Sequence, residues 1–289
     1  MEKKRFKKIY IEITNVCNMN CSFCKPNKRE NLFMKKEQFF NVIKEIRNYT
    51  NLIALHVKGE PLLHPELEEI LEICEKNSIL VNITTNGTLL KEKIEILKKS
   101  KALRQLNISL HSIEKNSRYK KSTAEYLKEI FESVKILENK PFISYRLWNL
   151  KDISDNIANK EILTLLEKEY GIENLVEKAK INQFIELDEK IFVNQDIEFT
   201  WPDLELEEIN KEGTCMGLRN QVAILSNGDV VPCCLDQNGD IKLGNIYEEK
   251  FEKIIFSEKS LEIIKGFESN KLIHKLCKTC GFIKKFEDK

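Results

Sequence analysis

The chain has 289 residues, with 47 Lys and Arg against 46 Asp and Glu and a formal net charge of +1, which is enough chain for one large domain plus a small one. No strong field of either sign follows, so charge does not favour nucleic acid as a partner. The opening MEKKRFKKIYIEI is charged and then alternating, no stretch there or later has signal-peptide or membrane-spanning character, and the nine cysteines therefore point to a reducing, cytoplasmic setting in which thiols serve as ligands or nucleophiles.

Up to about residue 150, short β-rich runs alternate with amphipathic helical stretches. The predicted strands are KIYIEIT, LIALHVK, LVNITTN, QLNISLH and FISYRLW, followed by helices near 36–48, 66–77, 91–99, 123–138 and 158–169. This βα rhythm predicts an α/β fold with parallel strands. Five such units are too few to close an eight-stranded barrel, so a partial, open β/α barrel is expected. A sixth strand is placed within IELDEKIFVNQDIEF. Beyond it, the charged stretch WPDLELEEINKEGT leads into a second cysteine-bearing region, which sets a boundary near residue 205: a core over 1–205 and a small C-terminal domain over 206–289. In that domain QVAILSNGDVVPCC reads as a β-hairpin turning at Asn227-Gly228.

Within the strands, one face is polar. It carries Tyr10, Glu12 and Thr14, then His56 and Lys58, then Asn107, Ser109 and His111, then Ser144, Arg146 and Trp148, while Ile9, Ile11, Ile13, Ile108 and Leu110 alternate with them. Parallel strands buried on both faces should be almost continuously apolar. A polar inner face therefore implies a lumen that binds something, unless that face is simply solvated.

Cys17, Cys21 and Cys24 lie in TNVCNMNCSFC directly after the first strand, where barrel folds place their chemistry. Three thiolates at this spacing suit three irons of a cubane and leave the fourth iron open. Zinc would require a fourth ligand, and no His or Cys follows before His56. With Phe23 before the third cysteine, the motif resembles that of the radical S-adenosylmethionine (SAM) superfamily. VKGEPLLHP is similar to the Gly-Gly-Glu segment of that family, with Lys58 in place of the first glycine and Gly59, Glu60 and Pro61 matching. ITTNGTLL also resembles the family. The resemblance implies a SAM-binding 4Fe-4S cluster on the three cysteines, with Gly59 and Glu60 at the SAM amino group and Thr85 and Asn86 near the SAM site. It further implies Ser109 and Arg146 at the ribose and carboxylate, although Arg146 could equally pair with Glu12.

The C-terminal region supplies Cys215, Cys233, Cys234, Cys277 and Cys280, the last two in CKTC. This pattern resembles the twitch domain, a shortened relative of the SPASM domain, and implies one auxiliary 4Fe-4S cluster on Cys215, Cys233, Cys277 and Cys280. A four-cysteine zinc site is the alternative at this spacing. Neighbouring residues on a strand face opposite ways, so Cys234 is expected not to share the site with Cys233. Cys74 sits at apolar helical spacing with Ile70 and Leu71 and reads as core. His64 reads as a helix-entry residue, His56 and His111 as lumen histidines, and Trp148 and Trp201 as stacking or core residues.

The resemblance implies reductive cleavage of SAM to a 5′-deoxyadenosyl radical, hydrogen-atom abstraction from substrate, and an auxiliary cluster that accepts an electron. An external electron donor such as flavodoxin or ferredoxin, and a small-molecule or peptide substrate, are the implied partners. Two other readings stay open: modification of RNA or of a cofactor precursor, and a non-catalytic metal-binding scaffold.

Overall fold

A computed structural model describes residues 5–113, 118–137, 141–152 and 159–286. In chain order the elements are β1 (Lys8–Ile11), α1 (Lys36–Ile46), β2 (Leu52–Leu55), α2 (Leu67–Lys76), β3 (Leu80–Thr85), α3 (Leu90–Lys99), β4 (Leu103–Ser109), α4 (Thr123–Ile136), β5 (Phe142–Leu150), α5 (Lys160–Tyr170), α6 (Leu175–Ala179), β6 (Phe184–Asp188) and β7 (Ile191–Ile197). There follow β8 (Gln221–Ile224), β9 (Asp229–Val231), β10 (Gly244–Asn245), α7 (Phe251–Ile255), α8 (Glu258–Glu268) and α9 (Lys275–Lys278). The fold is α/β with mostly parallel strand pairs, and its C-terminal region carries a strand hairpin.

Helix positions follow from spacing and caps. Phe39, Val42, Ile43 and Ile46 recur at helical intervals and are the buried face of α1. At the start of α4, Ser122 accepts the Glu125 N–H while the Glu125 carboxylate accepts the Ser122 N–H, so two otherwise orphaned donors are satisfied reciprocally. α5 stops at Gly171, whose φ of 65° supplies the left-handed cap.

The chain forms two compact units, one of residues 1–16, 25–81 and 199–289, the other of 17–24 and 82–198. In the first, β1 pairs in parallel with β2 on one side and with β8 on the other, and β8, β9 and β10 follow antiparallel. In the second, β4, β5 and β7 run parallel, and β6 closes antiparallel on β7. The chain passes from one unit to the other within β3. The motif boundary near residue 205 falls inside the first unit.

Two elements differ from expectation. The single strand placed in IELDEKIFVNQDIEF is a hairpin of β6 and β7, because Lys190 takes a left-handed φ of 62° and reverses the chain. β8 is more than a hairpin arm, since it also lies in register on β1, Lys8 against Gln221 through Ile11 against Ile224. Val222, Ala223 and Ile224 are all fully buried, as an inner strand requires. Much of the polar strand face is buried, with Glu12, Thr14, Lys58, Asn107, His111 and Ser144 among the buried residues, while His56, Ser109, Arg146 and Trp148 are half-buried.

Candidate functional site

The second unit holds the first cysteine group. Cys17, Cys21 and Cys24 occupy an irregular loop in which the Cys24 N–H donates to the Cys21 carbonyl at 3.0 Å. Cys17 Sγ accepts the Met19 N–H at 3.4 Å and the Asn86 side-chain amide at 3.8 Å. Cys21 Sγ donates to the Ser112 carbonyl at 3.3 Å. The Phe23 ring lies 4.7 Å from that of His111, and His111 Nδ1 lies 3.0 Å from the Arg146 carbonyl. The cysteine loop is thus tied to Asn86 and to the turn after β4.

Around this loop stand the other residues that the motif singled out. Thr85 Oγ1 accepts the Gly87 N–H at 3.0 Å and shapes the turn after β3. The Ser109 carbonyl accepts the Ser112 hydroxyl at 2.6 Å. The Arg146 guanidinium lies 4.5 Å over the Trp148 ring, whose Nε1 donates to Asn194 at 2.7 Å. Asn18, Thr88 and Ser112 were not singled out in sequence. Their only signal was adjacency, of Asn18 to Cys17, of Thr88 to the Asn-Gly pair and of Ser112 to His111.

Gly59 and Glu60 lie in the first unit. Gly59 has a φ of 78°, and a Cβ there would run into the Thr14 carbonyl and the Asn15 backbone. The Glu60 N–H donates to the Val16 carbonyl at 2.8 Å, so the segment lies directly against the chain leaving β1. The Glu60 carboxylate is buried and accepts the Leu62 N–H at 3.0 Å, which caps the 3-10 turn Pro61–Leu63. Lys58, which replaces a glycine of the family motif, has a structural reason: its buried ammonium donates to the Lys25 carbonyl and, at 3.1 Å, to the Gln237 side chain.

Arg29 donates to the Gln237 carbonyl at 2.8 Å and to both carboxylate oxygens of Glu12 at 2.7 Å. Glu12 also accepts the Ser226 hydroxyl at 2.9 Å. Arg29 is therefore a bidentate partner of buried Glu12.

The second cysteine group also lies in the first unit. Burial pushes the Cys233 thiol well above its ordinary range, and the neighbouring Cys215, Cys234, Cys277 and Cys280 push it further the same way. Burial likewise raises Cys215 and Cys277 and holds Cys280 up at about 12. Cys234 packs against the apolar cluster of Tyr10, Ala54, Val57, Ala223, Leu225 and Val231, and its thiol hydrogen-bonds Tyr10. β9 ends at Val231, so strand alternation does not extend to Cys233 and Cys234, and Cys234 neighbours both Cys233 and Cys280 while packing on the apolar cluster. Asp236 shapes the following loop by accepting the Asp240 and Ile241 N–H groups at 2.8 Å each, and burial pushes its carboxyl up to about 6.

Both donor sets fit iron–sulfur clusters chemically. Buried thiols that raise one another are neutral until a cation shares the charge of their thiolates. A sulfur that accepts two N–H donors, as Cys17 does, is prepared to carry thiolate charge. Among the described residues, no three His, Cys, Asp or Glu side chains converge on one metal-ion position. Thiolates bound to different irons of a cluster have no such common point.

Other residues resolve into structural roles. Cys74 is fully buried in α2. His64 is buried with both ring nitrogens engaged, one with the Met34 carbonyl and one with the Glu66 N–H. His56 packs near Tyr10, and Trp201 lies 5.1 Å from Phe199. Among the described residues no helix is long and apolar enough to cross a membrane.

Comparison with known proteins adds to this geometry. A family model described as the radical SAM superfamily matches residues 11–163, more than half of the chain. A second, SPASM, described as an iron-sulfur cluster-binding domain, matches residues 215–281. A GTP 3′,8-cyclase of Aquifex aeolicus is 36% identical over 139 residues, covering 44% of this chain and 42% of that protein. A GTP 3′,8-cyclase of Campylobacter lari is 28% identical over 166 residues, covering 54% and 50%. The matches thus span half or less of these curated relatives. Among solved structures, BtrN in complex with AdoMet and 2-DOIA aligns with a TM-score of 0.61 at 18% identity, covering 97% of this chain and 94% of that one. Streptococcus suis SuiB bound to precursor peptide SuiA aligns with a TM-score of 0.62 at 18% identity, covering 97% and 71%. At this identity the structural likeness concerns the fold alone.

Proposed function

Because the chain belongs to the radical SAM superfamily and carries an iron–sulfur SPASM domain at its C-terminus, we propose that it oxidises a small-molecule or peptide substrate by hydrogen-atom abstraction. Membership brings a 4Fe-4S cluster, SAM, auxiliary iron–sulfur and a need for an external electron donor; flavodoxin or ferredoxin suits that last role. When bound, these groups supply a 5′-deoxyadenosyl radical and an acceptor for the electron released as the substrate is oxidised.

The chain's own residues hold and orient them. Cys17, Cys21 and Cys24 would hold the SAM-binding cluster, whose chemistry at that site needs one iron without a protein ligand. By the family resemblance, Gly59 and Glu60 would serve the SAM amino group, Ser109 and Arg146 the ribose and carboxylate, and Phe23, Thr85 and Asn86 would serve SAM binding. Cys215, Cys233, Cys277 and Cys280 hold the auxiliary cluster, and four protein ligands leave no open iron there, which suits electron transfer. The observation that carries the oxidising reading is the match of residues 215–281, which include Cys215, Cys233, Cys277 and Cys280, to the iron-sulfur SPASM domain.

The test is anaerobic reconstitution and reduction, addition of SAM, and measurement of 5′-deoxyadenosine. Slow formation is expected without substrate, and Cys21→Ala should abolish it. Equal formation by the variant would remove the first cysteine group from the reaction. The relatives named GTP 3′,8-cyclase favour a second reading, in which the substrate is a nucleotide such as GTP. GTP consumption that depends on SAM in the same assay would select it.

A further inference from the structure

We propose that Asn86 is a positioning residue for the first cluster, acting through Cys17: its side-chain amide donates to the Cys17 sulfur and raises the reduction potential of the cluster. The inference rests on the reading of Cys17 as an iron ligand.

The orientation of the amide is fixed by its partners. The Thr88 backbone N–H lies 3.0 Å from one Asn86 terminal atom, and a backbone N–H can only donate, so that atom is the oxygen. Nδ2 then lies 2.9 Å from Asn18 and must meet its oxygen. The Asn18 amide in turn donates to Thr88 Oγ1 at 2.8 Å, and that hydroxyl returns its proton to Asn86 Oδ1 at 2.6 Å. This closed ring of Asn86, Asn18 and Thr88 uses one of the two Nδ2 protons. The other is left for Cys17 Sγ at 3.8 Å, within the longer reach of sulfur.

The backbone beneath is equally constrained. The Tyr126 hydroxyl donates to the Asn86 carbonyl at 2.6 Å, and Gly87 holds a φ of 77° where a Cβ would press on Ile108 and Ile130 at 3.0 Å. Asn86 is buried, so its dipole acts with little screening. An N–H donor stabilises a sulfur more as that sulfur gains electron density, which favours the reduced cluster and raises its potential.

The test uses the full reconstituted chain and follows, by electron paramagnetic resonance during a redox titration, the cluster signal that changes when SAM is added. Asn86→Asp separates tuning from structure. Its carboxylate still accepts from both Thr88 donors and keeps the turn, but it turns an acceptor instead of a donor toward Cys17. Its potential should shift to more negative values with iron content near the parent's, and Asn86→Ala should shift the same way by less, since no charge is added. An unchanged or more positive potential in the Asp variant would overturn the proposal, and the Ala variant decides in the same way if the Asp variant does not load iron. A parent with no SAM-responsive signal would overturn the reading of Cys17 and the inference with it.

Discussion

Arg29 meets Glu12 through two 2.7 Å contacts, and the Glu12 side chain has no solvent exposure. Removing one member of such a pair leaves a buried charge without its counter-ion, at a cost of about 3–5 kcal/mol. Arg29→Met should therefore lower unfolding stability by that amount, and adding Glu12→Gln should recover much of it, as read from denaturant midpoints at constant slope. Glu60 calls for a gentler change, because its carboxylate also caps the turn at Leu62. Glu60→Gln keeps an acceptor for that N–H and removes the charge. A lost charged hydrogen bond is worth about 1.5–3 kcal/mol, so the SAM dissociation constant should rise by about one to two orders of magnitude with iron content unchanged. Unaltered affinity would take Glu60 out of the SAM site. Strand alternation made Glu12 legible as an inward residue. Arg29, on a loop without periodicity, could not be matched to it, and nothing in the sequence explained Lys58 before Gln237 stood beside it.

The seam between β5 and α5 includes a buried phenol pair, with the Tyr145 and Tyr170 hydroxyls 2.7 Å apart. Burial raises Tyr170 from its ordinary 10.0 to about 12 and raises Tyr145 well above that ordinary value. The folded chain thus keeps protons that the unfolded chain loses above pH 10. Stability fully present below that value should fall as pH rises toward 12. Tyr145→Phe should cost about 1 kcal/mol near neutrality and flatten the alkaline decline, measured as urea unfolding across pH. The elements at this seam were legible, since the FISYRLW run and the helix near 158–169 are present as β5 and α5. β6 and β7 merged into one expected strand because no Gly, Pro or Asn marks the reversal, and a left-handed Lys190 makes it instead. The place of β8 beside β1 depends on a pairing across more than two hundred residues. Only its unbroken apolar run hinted at an inner strand.

Cys17, Cys21 and Cys24 belong to one compact unit and the C-terminal cysteines to the other. Loss of one set of ligands therefore removes no ligand from the other set. Two 4Fe-4S clusters imply about eight irons per chain in the parent and about four after Cys17, Cys21 and Cys24 are all replaced by Ala. Replacing Cys215 or Cys280 in that background should remove the remainder. Replacing Cys234 should remove little, because its thiol faces Tyr10 and an apolar cluster. About one zinc with about four irons in the parent would make the C-terminal site structural. The electron-accepting role would then fail, and a redox-neutral reaction would become the better reading. With the iron count as expected, Cys280→Ala should still form 5′-deoxyadenosine from SAM yet yield no oxidised product. Under the proposed reading, radical formation would need only the three thiolates of the first group, whereas removal of the electron would need the four of the second.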